Sequence, residues 1–294
     1  VSLALKQLLS SIVDYAGLFP PAQRSLPEAI ALYNQAQCAP EQWLIGRFVL
    51  PAACLPAFLT LRPTGLKPER AERWPLSIIL SHNWAIELAQ IREHATTHSV
   101  HISALEMPPL PPDTVRQIGL HLPMGTTAFF EIPLNADLDP YLTVLQQPHI
   151  AAKLRTGGIT SDAFPDSAQL AQAILSLAKA NIPFKATAGL HHPLRGDRRL
   201  TYNPDSAFTT MHGFLNVAML AAAAYQQSVS LDDAIALLEE QSIHAFGFIE
   251  TSIHWRNYAL SLAALERSRQ QFFHSFGSCS IQEPIDDLHS LRLL

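Results

Sequence analysis

"IPFKATAGLHHPLR", residues 182–195, puts one of only five lysines in the chain inside a short apolar run. Successive side chains point to opposite faces of a strand. Phe184, Ala186 and Ala188 therefore share one face, and Lys185, Thr187 and Gly189 the other. Upstream, "IAAKLRTGG" (150–158) repeats the pattern, with Ile150, Ala152 and Leu154 opposite Ala151, Lys153 and Arg155. In "TAFFEIPL" (127–134), Phe130, Ile132 and Leu134 lie opposite Glu131. Where the apolar face of each strand meets helices, the charges of all three look into one interior.

Around these runs, β-rich stretches alternate with helical ones. Strands are predicted at 43–50, 75–80, 99–105, 127–134, 149–157, 182–189, 243–249 and 272–277. Ser25 and Glu28 have capping-box spacing, Asp166 opens a helix carrying Leu170, Ile174 and Leu177, and Asn181 suits that helix's end. Eight strands each followed by a helix predict an α/β fold, a (β/α)8 TIM-type barrel. An open doubly wound sheet is the alternative, but no G-x-G-x-x-G follows the first strand. The chain reads as one domain, 1–294, with residues 1–42 an N-terminal helical extension packed on the barrel. "VDYAGLFPPA" (13–22) falls in that extension, where its prolines and aromatics suit packing against the barrel floor; Asp14 and Tyr15 reach a site only if the segment crosses the top.

Glu131, Lys153, Arg155 and Lys185 form the candidate site. Three cations against one carboxylate are costly in a core, and an anionic ligand would complete the balance. Two lysines on adjoining strands, roughly 6–7 Å apart, repel by about 2.5 kcal/mol at an effective dielectric of about 20. That repulsion favours a neutral amine able to attack a carbonyl and form a Schiff base. Glu131 is the candidate acid/base, and Arg155, always charged, the candidate anion holder. Arg47 and Thr187 are further candidates for binding substrate. Strict alternation turns Glu106 outward with Val100, Ile102 and Ala104, so it is a site candidate only if the strand has ended before it.

The loop after 182–189 carries His191, His192, Arg195, Arg198 and Arg199, a composition suited to a lid over an anion. His191 is a candidate acid/base. Neighbouring side chains diverge, so only one of His191 and His192 is expected to reach the site. Ser278 and Ser280, in "SFGSCS" (275–280), lie where barrels often bind phosphate. Ser280 and Glu283 also have the spacing of a capping box. His212 and Asn216 share a helix face and read as a structural pair. Either of His191 and His192, with Glu131 and His212, is the metal-ligand set to consider. No zinc-type spacing supports it, and no cofactor is expected.

Composition narrows the class. The chain is 48% hydrophobic and 15% charged with a net charge of −5, which argues against nucleic-acid binding. "GFLNVAMLAAAAY" is too short for a membrane span and contains Asn216, so it reads as a buried helix. Three scattered cysteines, Cys38, Cys54 and Cys279, and no signal-peptide pattern fit a cytoplasmic protein. The alanine-rich stretch 208–226 suits packing within one chain or between subunits, leaving a homo-oligomer open.

"FKATAG" (184–189) resembles the lysine strand of class I aldolases of the deoxyribose-phosphate type. In that family a Schiff-base lysine on the sixth barrel strand is followed by small hydroxyl-bearing residues and a glycine, with a second lysine on the seventh and an aspartate as acidic partner. The resemblance implies aldolase or lyase chemistry with Lys185 as nucleophile. Counted along the predicted strands, Lys185 falls on the sixth and its neighbour Lys153 on the fifth. Over its whole length, in "DYAGLFPPA", "KLRTGG" and "KATAGLHHP", the chain resembles an uncharacterised bacterial and cyanobacterial β/α-barrel family. The expected function is an enzyme acting on a small anionic carbonyl compound. A metal-assisted lyase or isomerase, and a non-catalytic barrel binding an anionic metabolite or serving as scaffold, are the alternatives.

Overall fold

The structure is a computed structural model that describes residues 1–62, 74–98, 100–123, 125–226 and 229–294. Eight parallel strands close into a barrel. They are β1 (Val13–Tyr15), β2 (Ile45–Pro51), β3 (Leu76–Ile79), β4 (Ile102–Met107), β5 (Thr127–Ile132), β6 (Ile150–Arg155), β7 (Phe184–Thr187) and β13 (Phe273–Ser278). Between β7 and β13 lie an antiparallel hairpin, β8 (Gly196–Arg199) with β9 (Phe208–Met211), and a small antiparallel sheet of β10 (Phe246–Phe248), β11 (Ser252–Trp255) and β12 (Tyr258–Ser261).

The barrel forms as the alternating pattern predicts, with one strand exchanged for another. Its first strand is Val13–Tyr15, inside the segment assigned to an extension over the floor. It pairs with β13 (Asp14 opposite Gly277) and with β2 (Val13 opposite Ile45). Tyr15 points outward to the rings of Tyr33 and Phe48, while Asp14 points in, fully buried. The predicted strand at 243–249 is not part of the barrel. Phe246–Phe248 pairs instead with β11, and the helix expected over 255–270 is β12 followed by a helix at Leu262–Gln271. An apolar alternating segment satisfies an antiparallel ribbon as well as a barrel wall. One strand lost and one gained keep the total at eight but shift the count, so Glu131 is on the fifth strand, Lys153 on the sixth and Lys185 on the seventh.

A third correction concerns Glu106. The register between β3 and β4 shifts between Leu76–Ile102 and Ser77–Ala104. A bulge of this kind inserts one residue and reverses the alternation beyond it. Ser103 reaches Arg47 inside the barrel, Ala104 joins Phe129 and Ala151 in a small apolar layer, and Glu106 points in while Leu105 and Met107 join the outer core. Ser99, where that strand was expected to begin, lies outside the described residues.

The outer core is continuous. On β7 the outward Phe184 is fully buried against Phe272 and Phe273, a burial that contributes about 1.5–3 kcal/mol. The helix Phe214–Tyr225 is buried from Phe214 to Ala224 by its own chain, so it offers no free face to a second subunit. It begins at Phe214 because residues 208–211 of the predicted helix form β9. Two of the capping expectations hold, at Ser25 with Glu28 and at Asp166, whose side chain pairs with Gln169. Asn181 takes the left-handed conformation (φ 54°) that ends a helix. Among the described residues no helix is long and apolar enough to cross a membrane.

Candidate active site

The height of β6 against β7 sets the site. Lys153 is the register partner of Lys185, and Arg155 that of Thr187. Just above, Thr156 Oγ1 donates to the carbonyl of Ala188 (2.5 Å), and the backbones of Gly157 and Gly189 meet. A Cβ on Gly189 would lie 2.8 Å from Gly157 Cα, and Gly189 has φ 76°. Only glycine meets both demands without strain. The glycines of "KLRTGG" and "KATAGLHHP" thus lock the two strand ends together.

Below this lock lies a chain of charges. Lys185 Nζ donates to Asp14 Oδ2 (2.7 Å) and to Glu106 Oε1 (2.6 Å). Glu106 also accepts from Ser77 Oγ (2.8 Å), and its Oε2 lies 3.7 Å from Lys153 Nζ. Lys153 Nζ is 3.3 Å from Glu131 Oε2, and Glu131 takes Arg155 in a two-point contact at 2.8 and 3.3 Å. Asp14 also accepts from Ser275 Oγ (2.6 Å) and the backbone N–H of Arg47 (2.9 Å). The carboxylate then alternates with the amine along one line: Asp14, Lys185, Glu106, Lys153, Glu131, Arg155.

The electrostatics follow from these contacts. Burial alone would push the carboxyl of Asp14 up. Lys185 and Arg47 beside it outweigh that, and it falls from 3.8 to about 2. Glu106 is lowered in the same way, with burial opposed by both lysines. For Lys185 burial works toward the neutral amine, but Asp14 and Glu106 win and its pKa is raised above 10.5. This corrects the expectation of a depressed Lys185. Two lysines repel when they face each other alone, whereas here a carboxylate stands between them. The charge census also changes. Asp14 and Glu106 join Glu131 against Lys153, Lys185, Arg155 and Arg47, leaving one positive charge in excess.

A cavity of about 710 Å³ opens above this chain at the C-terminal ends of the strands. Its walls include Glu106, Glu131, Lys153, Arg155, Lys185 and Thr187. Ala16 and Phe19 also line it, so the segment after β1 crosses the top of the barrel, not its floor. The β8–β9 hairpin and its connection, the segment expected to form a lid, supply Arg198 and Tyr202 to the lining.

Other expected site residues divide. His191 and His192 both line the cavity, although only one was expected there. His191 Nδ1 is 3.4 Å from Glu283 and 3.2 Å from Ser278 Oγ, and His192 Nδ1 is 2.6 Å from Asp287. Burial lowers the pKa of His192 despite Asp287. Arg47 points inward beneath Asp14, toward Ser103, Ser275 and the ring of Phe129, and is not among the residues lining the cavity. Ser278 and Ser280 are also absent from the lining. Ser278 Oγ donates to the Ser280 carbonyl, and Ser280 Oγ accepts from the Glu283 N–H. The Glu283 carboxylate turns to Tyr202 and His191 instead of completing a capping box. A carboxylate therefore stands at this helix start, where an anion was expected. His212 is held by the Pro165 carbonyl and Arg195, away from Glu131, and Asn216 ties Arg195 to the carbonyls of Leu237 and Glu240. Among the described residues no three of His, Cys, Asp and Glu stand together in a way that could hold a metal.

Asp14 and Glu106 are the functional candidates that pattern reading placed elsewhere. The signal for Asp14 was present, a lone acid between Val13 and Tyr15 in a three-residue apolar run. Glu106 had no such signal, since a bulge leaves no mark on alternation read from one strand alone.

The arrangement sets Lys185, gripped by two carboxylates, beside Lys153, which has two carboxylates at longer range, and both line the cavity. Comparisons of this chain with family models, with curated proteins and with solved structures find no match.

Proposed function

We propose that this protein is an enzyme of the aldolase or lyase type that acts on an anionic carbonyl compound through a Schiff base on Lys153. One observation carries the reading: Lys153 and Lys185 are register partners with the Glu106 carboxylate between them, and both face the cavity. Lys185 has two short carboxylate contacts and a raised pKa, which make it a permanent cation. Lys153 has longer contacts, and Glu131 and Glu106 stand where its proton would go.

In the proposed reaction the Lys153 nitrogen attacks the substrate carbonyl carbon. The carbonyl π pair moves to oxygen, which takes a proton, and the carbinolamine loses water to give an iminium. Glu131 or Glu106 then removes the proton of the β-hydroxyl. The β carbon–carbon bond breaks, its electron pair flows into the iminium as an enamine, and an aldehyde leaves. Protonation of the enamine carbon and hydrolysis by water return the free amine and the second carbonyl product. The Lys185 ammonium stabilises oxyanion character without losing its proton.

The corrected strand count supports the same reading. Lys153 is on the sixth strand and Lys185 on the seventh, the places where the deoxyribose-phosphate-type aldolases carry their Schiff-base lysine and second lysine. The resemblance moves the nucleophile from Lys185 to Lys153. Borohydride reduction in the presence of small aldehydes and oxo acids, followed by peptide mapping, tests it. The expected adduct is on Lys153, and no adduct with any bound carbonyl compound would remove the Schiff base.

A further inference from the structure

Within the Schiff-base reading, we infer that the substrate carries an apolar body between its carbonyl and a single terminal anionic group. Three observations lead there. Pockets of roughly 300–1,000 Å³ take molecules of drug size, so a cavity of about 710 Å³ far exceeds the needs of a two- or three-carbon carbonyl compound. Beside the charged groups its walls carry apolar side chains, among them Phe19, Pro21, Pro108 and Ile159, with Leu200 and Met211 from the β8–β9 segment. A chain of sugar hydroxyls there would give up water with little to replace it.

The third observation is how the cations at the mouth are used. Arg155 is taken by Glu131, and Arg199 donates to the carbonyls of Pro204 and Ser206. His191 and His192 face Glu283 and Asp287. Arg198 lines the cavity from β8, and among the described residues no hydrogen bond or ion pair engages its guanidinium. The carbonyl is then read at Lys153, the apolar body along the proline and lid walls, and the anion at Arg198. This deepens the proposed function by naming its substrate class, an ω-carboxylated or similarly ended apolar carbonyl compound.

Two measurements on the full chain separate this inference from the chemistry it rests on. The first compares borohydride trapping at Lys153 with succinic semialdehyde and with 9-oxononanoate, which share an aliphatic aldehyde and a carboxylate but differ in apolar length. 9-Oxononanoate is expected to half-saturate trapping at a concentration at least about tenfold lower, since each buried methylene adds affinity. Equal half-saturation overturns the inference and leaves the Schiff base standing. The second uses the carbonyl-free dicarboxylates azelate and succinate in thermal-shift titrations. Azelate binding at least about tenfold tighter, with that advantage reduced in Ile159→Asp and in Arg198→Ala, supports the apolar site even if no adduct forms. Azelate binding no tighter than succinate, or an advantage untouched by both substitutions, overturns it.

Discussion

Strands β6 and β7 carry the same residue at the same height, yet the two lysines are in different situations. On β7, Lys185 is 1% exposed and gripped at 2.6 and 2.7 Å by carboxylates from β4 and β1. On β6, Lys153 is 4% exposed, and its nearest carboxylate oxygens lie at 3.3 and 3.7 Å. Similar burial thus gives two kinds of amine, and the difference comes from partners on other strands. A lysine with two short contacts is a fixed charge. A lysine with longer contacts to carboxylates that are themselves shared is held less tightly, which is why the proposed Schiff base is placed on Lys153.

The largest expected effect breaks the β7 side of this comparison. Lys185→Met leaves Asp14 and Glu106 buried without their shared partner, and removing one member of a buried pair costs about 3–5 kcal/mol. Lys153→Met is expected to cost less, about 1–2 kcal/mol, because Glu131 keeps Arg155 and Glu106 keeps Lys185. Urea unfolding of both variants measures the difference; equal losses would show that the two amines are structurally equivalent. Lys153→Met should also remain folded while losing activity and borohydride trapping together.

A pH titration sharpens the comparison. Asp14 has a pKa of about 2 in the folded chain against 3.8 for the free group. Its contribution is complete above about pH 4 and fades as the pH falls toward 2, for a total of about 2–3 kcal/mol. Lys185 is raised, so its contribution is complete below 10.5 and is lost as the pH rises through the higher folded value. Asp14→Asn should therefore flatten the acid limb between pH 4 and 2 and lower stability at neutral pH. A stability curve of unchanged shape would mean that Asp14 is not the acid-sensitive partner.

Smaller effects are expected at the rim, where side chains are wetter. Arg198→Ala should change stability by less than about 0.5 kcal/mol, as an exposed substitution, while weakening binding of anionic carbonyl compounds. Isothermal titration checks this; unchanged affinity would take Arg198 out of substrate recognition. Tyr202→Phe removes the hydroxyl contacts with Glu283 at 3.0 Å and with Cys279 Sγ at 3.4 Å and should cost about 1 kcal/mol, seen as a small fall in Tm.

Much of this contrast was legible in the chain. The inward faces of β5, β6 and β7 follow from alternation, because each strand is long enough, and apolar enough on one side, to show it. The caps at Ser25 and Asp166 are local signals and hold locally. What escaped depends on partners distant in sequence. Val13–Tyr15 is too short to display a period and is a strand only because β2 and β13 flank it. The run 243–249 reads as a barrel strand, but the part that forms a strand, 246–248, pairs with β11. Glu106 reverses its direction through a bulge defined by register with β3. Of the three acids of the charge chain, Glu106 was hidden behind pairing and Asp14 could be placed only through it, so the sign of the shift at Lys185 was missed.

The central claim is that Lys185 is a fixed cation beside a reactive Lys153. With only five lysines in the chain, a pH titration of ¹³C- and ¹⁵N-labelled lysine side chains by NMR resolves each one, and Lys→Arg substitutions assign them. At pH 10.5 the account predicts that Lys185 is still more than half in the ammonium form. A Lys185 signal that has already moved to the neutral-amine position by that pH would contradict it.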